Sequence, residues 1–403
     1  MFYGWIVVGV AFVAQFMAVG FVYYSFGVAL KALAADFETG RFGISAIHLV
    51  MPWTTALMAP ALGRAAGAGR LRSLIFAGAV ATGAGLCLAS RATALWQLYV
   101  IYPVLMAFGM NCLSGVGSQT LVVNWFTQRR ATALGLSQIG ASAGGMVMGP
   151  LAAALFAEHG WRDVYLGFGL VVLFTAPLLG WLAVGRPEER GLRAYGEETE
   201  NEVAATPPPQ ALSPREAIRQ PNLWLLAFIA GVGSMLSSAM VTHIVAFATD
   251  RGLQAIEASG LLSVMALGAL AGKLVFGFLA DRFGERPAYG LALSIESLGL
   301  LALMALPAGA TLYAVMLFFG LGVGGNLPLS AALLTRVFGP KAFGPMLGLK
   351  SLIAMPLMAA GTPFAGWVYD VSGSYSTAFG VFAALAGLAV VAVWAVRPPG
   401  DSL

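Results

Sequence analysis

The stretch LGALAGKLVFGFLADRFGER (residues 267–286) is an apolar run that contains one lysine and ends in a charged turn. Its apolar part belongs to a longer apolar segment, 255–279. A helix of ~20 apolar residues spans the ~30 Å hydrocarbon core of a bilayer. Segments of this kind recur along all 403 residues, of which 59% are hydrophobic and only 10% are charged. The chain is therefore predicted to be an all-α membrane protein that crosses the lipid bilayer many times.

Twelve such transmembrane helices are predicted, in two halves of six. The N-terminal half covers residues 1–185, and the C-terminal half covers residues 221–403. Between them, residues 186–220 form an acidic, proline-rich stretch, which predicts a flexible linker. The spans are expected at approximately 3–30, 44–64, 73–90, 96–124, 131–157, 163–185, 222–248, 255–279, 287–306, 311–337, 343–369 and 376–396.

The lysines and arginines predict the orientation of the chain. Of the 22 basic residues, 15 fall on the side that holds both termini and the linker, and five fall on the opposite side. The remaining two, Lys273 and Lys350, lie inside predicted spans. Because positive charge accumulates in cytoplasmic loops, both termini and the linker are expected on the cytoplasmic side of the cell (inner) membrane.

The two predicted halves repeat each other in sequence. GRAAGAGRLR (63–72) aligns with GFLADRFGER (277–286) at an offset of 214 residues, and Pro150 aligns with Pro363 at an offset of 213. Two six-span halves related by an internal repeat are a known transporter plan, with the substrate site near the midplane at the repeat interface. The repeat favours transport by alternating access over catalysis.

Several motifs resemble those of the major facilitator superfamily, over essentially the whole chain. They are the loop motif Gly277-x3-Asp281-Arg282-x-Gly284, the fifth-span pattern Gly140-x4-Gly145-x3-Gly149-Pro150, and the long central linker. A narrower resemblance, to monocarboxylate transporters and oxalate/formate exchangers, is carried by YGWIVV (3–8), YYSFGV (23–28), NWFTQRRATALG (124–135) and the eighth-span cation before GFLADRFG. The resemblance implies two pseudo-symmetric halves, a conformational role for Gly277, Asp281, Arg282, Gly284, Gly149 and Pro150, and a monomeric functional unit.

Lys273 and Lys350 are expected at matching depth in the membrane. Lys273 lies eight residues before Asp281, and Lys350 lies nine residues after Lys341, so the helical rise puts both ~12–13 Å from the cytoplasmic boundary. A charge at the bilayer centre costs at least ~2.5–3.5 kcal/mol and usually marks a function. Two alternatives stay open: Lys273 pairs with Glu296, or Lys350 extends its ammonium to the cytoplasmic face.

The resemblance to oxalate exchangers gives these lysines a role. In that branch a basic residue of the eighth span and a lysine of the eleventh span contact the dianion, which implies substrate contact at Lys273 and Lys350. An arginine is usual at the eighth-span position. Lysine supplies a compact point charge instead of a bidentate fork, so the resemblance leaves the identity of the anion open.

Other polar residues inside predicted spans are weaker candidates. The further substrate-binding candidates are Asn326, Asn111, Gln119, Gln138 and Tyr24. Each has a structural alternative, namely a helix kink, a hydrogen bond between helices or an interfacial aromatic belt. The proton-coupling candidates are Asp250, His243 and Glu296. For Asp250 the alternative is an ordinary loop acid beside Arg251.

The sequence contains no Walker loop, no dinucleotide fingerprint and no metal-ligand cluster, so no enzyme activity, cofactor, metal or nucleic-acid partner is expected. The leading hypothesis is a secondary transporter of small carboxylates such as oxalate, formate, lactate or pyruvate, by proton symport or anion exchange. An efflux pump for drugs or lipophilic compounds is the alternative, although a cation exporter should have acids in its central cavity. A transporter-like carboxylate sensor ranks below both, because the linker is short.

Overall fold

The computed structural model describes residues 2–196, 218–305, 309–338 and 343–397, with side chains except at positions 60, 130, 131 and 343–345. These residues are almost entirely helical. Within them the only β pairing is an isolated parallel bridge between Phe126 and Tyr195. The long apolar segments explain this, because a helix satisfies every backbone hydrogen bond inside its own segment. The predicted all-α fold class is confirmed.

The helices are bounded as follows. In the described residues up to 196, the α-helices are Tyr3–Met17, Ser25–Asp36, Arg41–Ser45, Ile47–Gly67, Leu71–Ser90, Leu95–Ile101, Ala107–Leu113, Val116–Trp125 and Arg130–Leu182. The same part has π-helical segments at Ala18–Tyr24 and Tyr102–Met106, and a 3-10 turn at Pro187–Arg190 in the predicted linker. After the linker they are Pro221–Thr249, Ala255–Phe283, Glu285–Met304, Ala310–Phe338, Phe343–Ser372 and Ser376–Ala395. We call these last six helices the seventh to twelfth spans.

Eleven helical stretches in the described residues are long and apolar enough to cross a membrane. One of them, Thr132–Leu182, has 51 residues, far more than one crossing needs. Its backbone leaves the helical region at Gly160, where φ is 74° and ψ is 161°. A positive φ of this kind is cheap only for glycine. Gly160 therefore ends the predicted fifth span and starts the sixth, which reconciles eleven helical stretches with twelve predicted spans.

The described helices group into two compact units. The first unit contains the described residues up to 196 together with 241–263, and the second contains 218–240 and the described residues from 264 onward. The core of the first unit is built from buried aliphatic and aromatic side chains, with Trp125 and Tyr165 among the largest. The seventh and eighth spans each contribute to both units.

In the second unit, the eighth and tenth spans approach each other through small residues. A Cβ atom built on Gly324 would lie 2.2 Å from the carbonyl oxygen of Ala269, and one built on Gly272 would lie 2.1 Å from that of Leu321. Only glycine permits backbones this close, and small residues are the usual contact surface between membrane helices. The close approach holds the tenth span in place beside the eighth span.

Candidate functional site

Lys350 is buried in the second unit and has a polar partner. Its side chain lies in the eleventh span, only 5% of the residue is exposed, and its Nζ donates a hydrogen bond of 2.6 Å to Ser330 Oγ in the tenth span. Among the described side chains, no carboxylate forms an ion pair with it. The geometry does not favour the alternative in which the ammonium extends to the cytoplasmic face, because the nitrogen is held by a neutral hydroxyl inside the protein.

Ser330 connects Lys350 to two further polar residues. Asn326 lies four residues before Ser330 in the same helix, so both side chains lie on one helical face. Asn326 Nδ2 donates a hydrogen bond of 2.8 Å to Glu296 Oε1 in the ninth span. Glu296 therefore binds to Asn326, and the alternative that pairs it with Lys273 is not what the structure shows.

Tyr289 completes the group from the ninth span. It lies seven residues before Glu296, hence on the same helical face, and its hydroxyl is close to the Glu296 carboxyl and to the Ser330 hydroxyl. We call Tyr289, Glu296, Asn326, Ser330 and Lys350 the Lys350 cluster. Four of the five residues are at least nine-tenths buried, with Glu296 and Tyr289 at 0% exposure.

The Lys350 cluster is incompletely satisfied by the protein. Glu296 Oε2, the Tyr289 hydroxyl and Asn326 Oδ1 are buried and have no hydrogen-bond partner of ordinary geometry. Buried polar groups in native proteins nearly always have partners, and an exception calls for an explanation. Three such atoms on two facing helices make the Lys350 cluster the candidate site of the second unit.

Lys273 lies in the eighth span and is half-buried. None of the hydrogen bonds within the Lys350 cluster involves its ammonium. The structure thus places Lys350, but not Lys273, in the hydrogen bonds that define the Lys350 cluster. Its substrate contact remains a prediction.

The remaining substrate-binding candidates lie in the first unit and show mainly packing roles. Asn111 Nδ2 donates a hydrogen bond of 2.9 Å to the backbone oxygen of Thr55, which joins two helices. Gln119 is exposed and Gln138 is half-buried. Tyr24 packs against Gly145, where a Cβ atom would come within 2.4 Å of the tyrosine ring.

Asp250 forms an ion-pair cluster at the end of the seventh span. Its carboxylate contacts Lys31 Nζ at 2.9 Å and Arg41 Nη1 at 2.7 Å. Burial alone would raise the pKa of Asp250, but the hydrogen bonds and charges of Arg41 and Lys31 outweigh burial and hold that pKa below its usual value. The carboxylate thus stays ionised at neutral pH, which favours a structural role over proton coupling. His243 is buried in the same span.

The predicted loop motif forms a tight turn between the eighth and ninth spans. Gly284 has a φ of 92°, a conformation that other residues rarely adopt. Asp281 and Arg282 are exposed. Glu285, which follows Gly284, forms a salt bridge of 2.7 Å with Arg336 Nη1 at the end of the tenth span, a contact that sequence reasoning missed. In the first copy of the motif, Arg186 Nη2 donates a hydrogen bond of 2.7 Å to the backbone oxygen of Gly67.

Gly149 and Pro150 of the fifth-span pattern lie inside the first unit. A Cβ atom built on Gly149 would lie 3.1 Å from the backbone oxygen of Ser259. The glycine thus allows close approach by residues of the 241–263 segment. Its predicted conformational role remains a prediction.

The profile of the Major Facilitator Superfamily matches residues 11–273 and 233–403, and so covers nearly the whole chain. The chain belongs to the Major Facilitator Superfamily. Monocarboxylate transporter 11 of Mus musculus is 27% identical over 398 residues, covering 94% of this chain and 83% of the relative. Monocarboxylate transporter 13 of Rattus norvegicus is 27% identical over 396 residues, covering 96% of this chain and 88% of the relative. Monocarboxylate transporter 3 of the same species is 28% identical over 392 residues, covering 94% and 76%.

Solved structures agree with the fold. A bacterial homolog of the human lysosomal transporter Spinster, in an inward-facing and occupied conformation, superposes with a TM-score of 0.71 at 15% identity, covering 98% of this chain and 96% of that one. Its unoccupied form gives a TM-score of 0.69 at 16% identity, covering 98% and 95%. The predictions of family, fold class and non-enzymatic function are confirmed: this superfamily member is a multi-pass membrane transporter, homologous to monocarboxylate transporters.

Two residues of the Lys350 cluster, Tyr289 and Ser330, escaped the sequence reasoning. The signal was present as helical spacing, because Tyr289 lies seven residues from Glu296 and Ser330 lies four residues from Asn326. Serine and tyrosine are common in membrane helices, so their helical spacing alone does not predict a site. It does so only when a charged residue of another helix is known to contact the same face.

Proposed function

We propose that this protein is a secondary transporter of small carboxylates and that Lys350 binds the carboxylate group. The observation that carries the proposal is the buried ammonium of Lys350, which contacts the neutral Ser330 and no acid among the described side chains. Burying an ammonium is costly unless a counter-charge or strong hydrogen bonds compensate. A carboxylate substrate supplies the missing counter-charge.

The named relatives support the substrate class. Each is called a monocarboxylate transporter, and each aligns with more than nine-tenths of this chain. One cation suffices for a monocarboxylate such as formate, lactate or pyruvate. A dicarboxylate such as oxalate needs a second cation, which Lys273 of the eighth span supplies in this proposal. Alternating access, with either proton symport or anion exchange, moves the substrate.

The rival function is the export of cationic drugs, and such a pump would need a buried acid. Glu296 is a buried acid of this kind. Its carboxyl, however, accepts a hydrogen bond from Asn326 at the contact of two helices. The described structure therefore supports anion transport better than cation export.

The experiment is transport in proteoliposomes. Counterflow of labelled formate, lactate, pyruvate and oxalate should occur with the native protein and fall at least about tenfold in Lys350→Gln, since a hydrogen bond to a charged group contributes ~1.5–3 kcal/mol. Lys341→Gln, in a predicted cytoplasmic loop, is the matched control and should transport normally. If no carboxylate is transported, or if Lys350→Gln transports as well as the native protein, the proposal fails.

Lys273→Gln separates the two substrate types. If the protein prefers monocarboxylates, Lys273→Gln should still transport lactate and pyruvate. Loss of oxalate transport alone in the same variant would assign the second carboxylate to Lys273.

A further inference from the structure

We infer that the turn between the second and third predicted spans binds the headgroup of an anionic phospholipid. The turn, GRAAGAGRLR (63–72), contains three arginines and no acid. Arg186 of the predicted linker joins them, because its Nη2 donates a hydrogen bond of 2.7 Å to the backbone oxygen of Gly67. All four arginines are exposed. We call Arg64, Arg70, Arg72 and Arg186 the arginine patch.

The internal repeat shows which charges the first turn lacks. The matching turn of the second half, residues 277–286, has two arginines and two acids, whose charges cancel, whereas the first turn has three arginines and no acid. At the offset of 214 residues, Gly67 stands where the second turn has Asp281. Leu71 stands where it has Glu285. Both acids of the second turn are therefore missing from the first, and its positive charge is not balanced within the turn.

The protein around the turn does not supply the missing negative charge. Within the described residues, none of the four arginines forms an ion pair with an acid. The acids nearest to Arg186 in sequence are Glu188 and Glu189, which lie in the exposed 3-10 turn that follows it. A guanidinium has five N–H donors and no acceptor. The arginine patch therefore presents donors and positive charge to an anion from outside the chain.

Arg72 connects the arginine patch to a lipid-facing surface. Its Nε donates a hydrogen bond of 3.0 Å to the backbone oxygen of Gly180, and its Nη2 donates one of 2.8 Å to that of Trp181. The side chain of Trp181 is 62% exposed. Leu178 and Phe174, one and two turns deeper in the same helix and on the same face, are also exposed. Exposed tryptophan is typical of the headgroup level of a bilayer, and apolar side chains below it face the acyl chains.

An anionic phospholipid fits both parts of this surface. Its phosphate accepts hydrogen bonds from guanidinium groups, whose planar fork matches phosphate geometry. Its acyl chains cover the apolar face below Trp181. Groups of basic residues next to a transmembrane helix attract acidic lipids, and each basic side chain strengthens the attraction about fivefold. A soluble anion would use the arginines and leave the apolar face uncovered, so the surface favours a lipid.

The decisive comparison is Gly67→Asp with Gly67→Asn. A Cβ atom at Gly67 meets nothing within 4 Å, so either side chain fits. The aspartate restores the acid that the second turn has, and the asparagine has the same shape without the charge. We expect delipidated Gly67→Asp in neutral detergent to bind phosphatidylglycerol about fivefold more weakly than the native protein, as measured by native mass spectrometry. Gly67→Asn should bind it like the native protein. Equal binding by all three proteins would overturn the inference.

A second pair of variants removes charge instead of adding it. The double variant Arg64→Gln with Arg70→Gln should weaken phosphatidylglycerol binding at least about tenfold. The control is Arg193→Gln with Arg219→Gln, which removes the same charge from exposed positions on the same predicted side of the membrane. The control should bind like the native protein. An equal loss in both double variants would assign the binding to overall charge and overturn the inference.

Two further titrations of the native protein identify the ligand. Phosphatidylcholine has the same acyl chains and no net charge, so it should bind at least about tenfold more weakly than phosphatidylglycerol. Inorganic phosphate has the charge and no acyl chains, so an excess of it should not displace the lipid. Displacement by phosphate, or equal binding of the two lipids, would overturn the inference. None of these measurements involves transport or Lys350, so the inference and the proposed function can fail separately.

Discussion

Asn326 and Glu296 share a single hydrogen bond of 2.8 Å across the contact between the tenth and ninth spans, and each retains a buried oxygen without a partner. Asn326 also packs against Gly233 of the seventh span, where a Cβ atom would come within 2.7 Å of the asparagine nitrogen. Three helices of the second unit therefore meet at this amide. Its loss should affect both stability and transport.

The first prediction concerns Asn326→Ala. It removes the only hydrogen bond that Glu296 accepts from the described residues, and leaving a buried polar group without a partner costs ~1–3 kcal/mol. We expect a lower thermal unfolding midpoint in detergent. Gln119→Ala, at an exposed position, is the control and should unfold like the native protein. Equal midpoints in all three proteins would show that this hydrogen bond contributes nothing to stability.

The second prediction concerns acid stability and Asp250. The pKa of Asp250 in the folded protein lies below its usual value. Its contacts with Lys31 and Arg41 therefore stabilise the folded protein fully at pH values above the usual pKa. This stabilisation is lost as the pH falls through the lowered pKa of the folded protein. The unfolding midpoint of the native protein should therefore drop on acidification below about pH 4.

Asp250→Asn supplies the comparison. Its unfolding midpoint should be lower at neutral pH, where the native carboxylate is charged. It should also respond less to acid, since the asparagine side chain does not titrate. Parallel curves for the two proteins between neutral and acid pH would contradict the assignment of this acid response to Asp250.

The third prediction uses the close approach of the eighth and tenth spans. Gly324→Ala places a Cβ atom 2.2 Å from the backbone oxygen of Ala269, so the helices must separate. Overpacking of this kind typically costs ~1–3 kcal/mol. We expect a reduced yield of monodisperse protein and a lower unfolding midpoint. Gly348→Ala is the matched control, because a Cβ atom there meets nothing within 4 Å.

The fourth prediction concerns the salt bridge between Glu285 and Arg336. Both side chains are partly exposed, so the ion pair is worth at most about 1 kcal/mol in stability. Glu285→Arg places two cations side by side and should slow transport by distorting the turn between the eighth and ninth spans. The double exchange Glu285→Arg with Arg336→Glu should restore the rate. Failure of the double exchange to restore it would assign the effect to one residue alone.

The sequence was enough to predict the helices, because apolar length and the basic residues at helix ends are local properties. The break at Gly160 could also be inferred, since the fifth and sixth spans were predicted separately on either side of it. Lys350 was identified from its depth in the predicted span and from the resemblance to oxalate exchangers. Its partner Ser330 was not identified, because contact between the eleventh and tenth spans depends on how the helices rotate about their axes, and many rotations satisfy the same hydropathy.

The sequence also left open two alternatives whose partners could be identified only from the structure. Depth allowed Glu296 to reach Lys273, but depth says nothing about the direction in which a side chain points, and Glu296 faces Asn326. Asp250 was placed beside Arg251 in a loop, whereas its main contacts, Lys31 and Arg41, lie more than 200 residues away along the chain. Contacts over such separations depend on the assembled fold.

The spacing of the Lys350 cluster defines a signature that can be searched for in genomes. It consists of tyrosine and glutamate seven residues apart in the ninth span, asparagine and serine four residues apart in the tenth, and a lysine in the eleventh. Chains that keep all five residues are expected to share the buried polar contacts of the Lys350 cluster. Chains that lack only the lysine would leave the serine of the tenth span without its cationic partner, so the presence of that one residue divides the relatives into two groups that transport assays can compare.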